Sequence, residues 1–162
     1  MGCGSPTTLG ATGPLRVRTR KERFLVPSVA KRPTGRNAAW APRGDRLAFN
    51  YARGSTGDFP IWRGIATIRS DGTNFRALTN RGDDPDWSPD GTQIAFGSAG
   101  IRIVDRNGRQ RLLAGAGENP SWSPDGSRIV FDRGGDLWIM DSHGGDLHLL
   151  VREGREPDWS PA

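Results

Sequence analysis

Carboxylates gather in front of three of the six tryptophans. Asp84 and Asp86 precede Trp87, Glu118 precedes Trp122, and Glu156 and Asp158 precede Trp159. Carboxylate oxygens that converge can ligate a hard cation such as Ca2+ or attract a basic peptide segment. Other chemistry finds little to build on. The two histidines, His143 and His148, lie five residues apart, too few for a zinc site without a cysteine or a third histidine. Cys3 is the single cysteine, so no disulfide forms within the chain. No Gly-x-Ser-x-Gly nucleophile elbow occurs. Ser and Asp are plentiful, but they occupy turn positions where local hydrogen bonding accounts for them. No nucleophile, base and orienting group stand together, and the expectation is a binding protein, not an enzyme.

What must position those carboxylates is a repeat. Three segments align without gaps, Trp40–Phe49, Trp87–Phe96 and Trp122–Phe131, and a fourth copy begins at Trp159. The tryptophans are spaced by 47, 35 and 37 residues. That period lies near the roughly 40–45 residues of a four-stranded propeller blade. After each Trp comes a turn. In Ser88–Gly91 and Ser123–Gly126 the prolines Pro89 and Pro124 preset φ, and Gly91 and Gly126 accept the positive φ that closes a short hairpin. The first copy keeps Pro42 and Gly44 but carries Ala41 and Arg43 where the others have Ser and Asp.

A strand of large–small–large pattern follows each turn, as in Ile94–Phe96. The next strand, Ile65–Ile68, Ile101–Val104 or Leu137–Met140, is apolar at most positions on both faces, as a sheet sandwiched between neighbours should be. Asp71-Gly72, Asn107-Gly108 and His143-Gly144 mark a further tight turn. An outer strand closes each unit at Phe75–Thr79, Arg111–Leu113 and Leu147–Val151. No segment carries a sustained 3.6-residue apolar period, so almost no helix is expected.

These residues resemble the WD-type repeat of TolB-like β-propellers, which runs Pro-x-Trp-Ser-Pro-Asp-Gly-x-x-Ile-Ala-Phe. The leading proline is present as Pro85, Pro120 and Pro157. The resemblance covers residues 38–162 and implies an all-β chain of four-stranded antiparallel blades, an incomplete version of a six-bladed ring. Blades are expected at about 38–80, 81–115 and 116–152, with the start of a fourth at 156–162. The first copy departs most, with an insertion around Gly54–Pro60. Propellers close with typically four to eight blades. The reading therefore leaves open a fragment of a longer propeller, a homodimer completing a ring, and an arc capped by Phe24–Val26.

In the resembled fold the Trp-bearing strand is the innermost and lines a central channel. The fixed phase of Trp40, Trp87, Trp122 and Trp159 then argues for packing between blades, not for an aromatic ligand platform; Trp62 and Trp138 are also read as packing residues. Asp86, Ser121 and Asp158 would point away from the Trp rings. Asp84, Asp86, Glu156 and Asp158 are thus candidates to line the channel and to hold Ca2+ or a basic peptide. A hydrated channel without a ligand is the simpler account of them, and no cofactor is required. The resemblance implies a non-enzymatic interaction scaffold with a protein or peptide partner, working outside the cytoplasm in the periplasm. The alternative is the access-filtering propeller of a prolyl-oligopeptidase-like serine peptidase. Polysaccharide binding or lyase activity is weaker, because it should need more histidines or exposed aromatics.

Charge is unevenly placed. Residues 1–36 carry eight basic side chains against Glu22, whereas residues 37–162 carry fifteen arginines against seventeen acids. A basic arm attracts phosphate polymers or anionic lipid. A run of like charges is more simply a solvated, disordered leader, and no nucleic-acid partner is expected. Pro6 defeats the myristoylation pattern after Gly2. Gly2–Ser5 resembles the end of a bacterial lipobox, so Cys3 is a lipid anchor only if translation starts upstream. No run of about 18 apolar residues is present to span a membrane.

Overall fold

The structure is a computed structural model and describes residues 38–56 and 59–159. The basic leader, with Cys3 and Phe24–Val26, lies outside the described residues, as do Gly57, Asp58 and residues 160–162. The described chain forms three four-stranded antiparallel sheets, each built from strands consecutive in sequence. The first holds β1 (Ala38–Trp40), β2 (Arg46–Thr56), β3 (Phe59–Arg69) and β4 (Arg76–Ala77). The second holds β5 (Asp83–Trp87), β6 (Gln93–Gly97), β7 (Ile101–Asp105) and β8 (Gln110–Ala114). The third holds β9 (Glu118–Trp122), β10 (Arg128–Arg133), β11 (Asp136–Asp141) and β12 (His148–Val151). No helix forms among the described residues. The fold is all-β, with three four-stranded sheets arranged as propeller blades.

The register repeats because the turns repeat. Trp40 pairs with Leu47, Trp87 with Ile94, and Trp122 with Ile129. In the second blade the Ser88 N–H donates to the Gln93 carbonyl at 2.9 Å and the Gly91 N–H to the Ser88 carbonyl at 2.8 Å. Asp90 braces the turn from outside, accepting the Thr92 N–H at 3.0 Å and the Ser88 hydroxyl at 2.6 Å. Ser123, Asp125 and Ser127 repeat this in the third blade. The first blade lacks both Ser and Asp, yet its Ala41 and Gly44 N–H groups make the same two backbone bonds. Pro and Gly set the turn; the Asp reinforces it.

The hairpins at the X-Gly pairs are wider than two-residue turns. Gly108 takes a φ of 85°, while Asn107 stays at negative φ. Asp105 spans the loop by accepting the Asn107 and Arg109 N–H groups at 2.8 and 2.9 Å. Asp141 does the same for His143 and Gly145. Among the described residues the insertion in the first blade extends the strands: β2 and β3 stay paired as far as Thr56 and Phe59.

Burial follows from blades stacking on both faces of the middle sheet. Ile94, Phe96 and Val104 pack with Ala48 and Ile65 of the first blade, and with Trp87 and Leu78 beside them. On the other face, Ala95, Ile101 and Ile103 pack with Trp122, Ile129, Phe131 and Met140 of the third. Fully burying a side chain such as Phe96 or Ile129 is worth about 1.5–3 kcal/mol. A further cluster, Leu47, Phe49, Tyr51, Ala66 and Ile68, covers the opposite face of the first blade. Phe75 meets Phe49 and Tyr51 there, the latter edge-on at 5.9 Å.

Two glycines are required where an inner strand begins. Gly82 and Gly117 have φ of 134° and 136°. A Cβ on either would stand 2.4 or 2.5 Å from the ring of Phe96 or Phe131. Gly134, with φ of 64°, has open space around it. Gly134→Ala should therefore cost only the left-handed backbone penalty, about 1–2 kcal/mol. Gly117→Ala must also displace Phe131, and its loss should exceed that by about 2 kcal/mol or more. Thermal or urea unfolding of the two variants checks this ranking.

Candidate functional site

The inner strands β1, β5 and β9 are neighbours, and residues 156–159 follow on beside β9. Indole N–H groups tie the series together. Trp87 Nε1 donates to the Ala39 carbonyl at 3.2 Å, and Trp159 Nε1 donates to the Ser121 carbonyl at 3.1 Å. Trp122 Nε1 is buried without a partner. Its strand is held instead by the Asp86 carboxylate, whose Oδ2 accepts the Trp122 backbone N–H at 2.7 Å. Trp40, at the open end of the series, is 37% exposed. Trp138 lies under the Arg133 guanidinium at 4.8 Å. The Trp62 side chain lies outside the described residues.

Asp86, Ser121 and Asp158 come together. Burial pushes the Asp86 carboxyl up to about 6, and the negative charge of Asp158 adds to the rise. The Trp122 and Trp87 N–H groups and the Ser121 hydroxyl bond to the carboxylate and oppose it. Asp86 is half-buried, whereas Asp158 is exposed. Asp84 and Glu156 belong to a different feature. Each has a left-handed backbone, with φ of 53° and 51°, directly before Pro85 and Pro157. Asn119, before Pro120, matches them at 50°. The pairing of β5 with β6 shifts register between Asp83 and Asp86, and that of β9 with β10 shifts at the same place. The bulge interrupts alternation, so the period-2 rule does not carry from Asp84 to Asp86. Glu156 is exposed at its side chain.

Two cross-strand clamps were not apparent from the sequence. Asp132, 4% exposed, accepts the Asn119 side-chain amide at 2.7 Å and the Glu156 backbone N–H at 3.0 and 3.1 Å. Asn50 donates to Asp83 Oδ1 at 2.9 Å. Both occupy the position just after the Phe of the large–small–large strand. The middle copy has Gly97 there, and a Cβ on it would sit 3.4 Å from Glu118 Cα. Aligning the copies exposes this Asn, Gly, Asp series, which is the one signal the sequence offered.

Chemically the arrangement is a hydrogen-bonded acidic face along the inner strands. Among the described residues no three His, Cys, Asp or Glu side chains converge as a metal site requires. His143 and His148 are exposed and engaged in turns, the former near the Ser142 hydroxyl and the latter on the Asp146 carbonyl.

The chain is structurally similar to TolB β-propeller domains. A TolB-assigned protein of Agrobacterium tumefaciens matches with a TM-score of 0.66 and 25% identity, over 82% of this chain and 56% of that one. TolB from Acinetobacter baumannii matches with a TM-score of 0.60 and 21% identity, over 74% of this chain and 33% of that one. The β-propeller domain of the Trilobed protease from Pyrococcus furiosus shares the fold, with a TM-score of 0.57 and 17% identity over 76% and 45% of the two chains. The chain thus spans about half or less of these structures. No protein-family profile matches it, and no curated protein matches it in sequence.

The raised Asp86 carboxyl fixes the sign of a pH effect. Between the unfolded value of 3.8 and the folded value of about 6, the folded state binds the extra proton. Stability should therefore fall as pH rises through that window and level off above it. Partial exposure limits the change to on the order of 1–2 kcal/mol. The Asp125 carboxyl, held down to about 2 by Ser123 and Ser127, acts only below 3.8, where stability is lost as pH falls. Asp86→Asn keeps an acceptor for the Trp122 N–H, so it should flatten the profile between pH 4 and 6 and leave the acid limb intact. Urea unfolding across pH checks both limbs.

Proposed function

We propose that the chain is the blade-forming part of a non-enzymatic interaction scaffold of the TolB type, whose inner-strand face receives a basic protein or peptide segment. The observation that carries this reading is the convergence of Asp86 of β5 and Asp158 of the segment after β12 with the Ser121 hydroxyl of β9. Glu118 and Glu156 are exposed at the starts of β9 and of the segment that follows β12. The field is negative, and Asp86, Glu118 and Ser121 sit on paired strands, which suits recognition of Lys or Arg without bond-making. Work outside the cytoplasm, as the family resemblance implies, belongs to the same proposal. A second reading, the propeller of a larger peptidase, draws on the likeness to the Trilobed protease propeller. It would be favoured by a coding sequence that continues in frame into a Gly-x-Ser-x-Gly hydrolase domain.

Calorimetry with an Arg/Lys-rich peptide and an acidic control tests the first reading. The basic peptide should bind, more weakly at higher salt. Asp158→Asn should reduce affinity about two- to fivefold, the scale of one solvent-screened charge pair. Flat traces for both peptides would end it.

A further inference from the structure

The β7–β8 hairpin carries chemistry that the inner-strand face does not use. Asn107-Gly108, in its turn, is the one Asn-Gly pair in the chain. Asn107 is exposed, and Gly108 presents a backbone nitrogen with no side chain beside it. A carboxamide next to such a nitrogen is open to attack from within the chain. The other described asparagines are not so placed. Asn119 precedes Pro120, whose nitrogen has no hydrogen to lose. Asn50 is 7% exposed and bonds Asp83. Asn74 and Asn80 precede Phe75 and Arg81, whose side chains crowd the attacking nitrogen.

We propose that Asn107 is a self-modifying site that converts to a mixture of aspartate and isoaspartate. Hydroxide takes the Gly108 amide proton, and the nitrogen bonds to the Asn107 Cγ. The Cγ–Nδ2 bond breaks, ammonia leaves, and a five-membered imide remains. Water then opens the ring. Cleavage of the new Cγ–N bond gives aspartate; cleavage of the original main-chain bond gives isoaspartate.

The turn holds this reaction back. The Gly108 N–H donates to the Asp105 carbonyl at 3.0 Å, and the Asp105 carboxylate accepts the Asn107 and Arg109 N–H groups at 2.8 and 2.9 Å. The nitrogen is free to attack only when these bonds open, so local opening paces the modification. The repeat also separates the two products. The first blade has Asp71 at the corresponding place, where its carboxylate accepts the Thr73 N–H at 2.9 Å, so aspartate at position 107 fits the turn. Isoaspartate lengthens the main chain by one methylene and moves Arg109 away from Asp105. The turn stands against the preceding blade, since a Cβ on Gly108 would lie 3.4 Å from the Leu78 carbonyl oxygen. Isoaspartate therefore loosens the seam between the first two blades, and aspartate does not.

The test is incubation of the full chain in mildly alkaline buffer, followed by peptide mapping. Asn107 should convert ahead of the other asparagines, and the product should accept a methyl group from an isoaspartyl methyltransferase. Asp105→Ala should convert about two- to tenfold faster, the scale of one hydrogen bond, whereas Asp105→Asn keeps an acceptor and should stay near the native rate. The fold tolerates loss of that carboxylate, because Arg69 holds the same place in the first blade and its carbonyl still accepts the Gly72 N–H at 2.9 Å. An Asn107 that stays intact, aspartate formed without isoaspartate, or equal rates for the native chain and Asp105→Ala would overturn the proposal.

Discussion

A four-stranded sheet with apolar side chains on both faces cannot stand alone in water, and this requirement organises the molecule. The middle blade shows it most plainly. Ile94, Phe96 and Val104 need the first blade, and Ala95, Ile101 and Ile103 need the third. Area burial is non-directional, so it does not by itself choose how one sheet meets the next. Polar straps do that. An indole N–H on a backbone carbonyl, a carboxylate on a backbone N–H, and the Asn50 side-chain amide on the Asp83 carboxylate each fix one sheet against its neighbour. The stack is thus held by apolar area and registered by a few hydrogen bonds.

Those straps explain why the inner strands are polar. Asp86 stands where two strands and a third charge, Asp158, approach each other, and burial raises its carboxyl accordingly. Its Trp122 contact offsets part of that desolvation, and the other two blade junctions use an indole N–H at the corresponding place. The acidic inner face is therefore structural first. Whatever it recognises must be read against strands whose carboxylates are already engaged in holding blades together.

Much of the fold was legible because turns demand particular residues. Pro42, Pro89 and Pro124 with their partner glycines mark the hairpins, and Trp and the Ile-Ala-Phe strand keep a fixed offset from them. Strand positions follow from that punctuation. The site was less legible. Alternation breaks at Asp84 and Asn119, where a left-handed residue before proline accompanies a register shift, and Glu156 shares that backbone conformation, which residue type alone does not announce. The Asn50–Asp83 clamp joins two blades and exists only once they stack, and the Asn119–Asp132 bond crosses β9 and β10 only once that sheet has paired. The insertion near Gly54–Pro60 shows in sequence only as extra length between repeat positions, and the pairing of β2 with β3 reaches into it as far as Thr56 and Phe59.

The most direct test is native-state amide hydrogen exchange across the whole chain. If blade faces depend on their neighbours, the β6 and β7 amides, such as Ile94 and Val104, exchange slowest, with opening free energies near that of global unfolding. Protection should decline outward towards β1 and β12. Three blades exchanging independently, or a middle blade that opens before the outer two, would contradict the account.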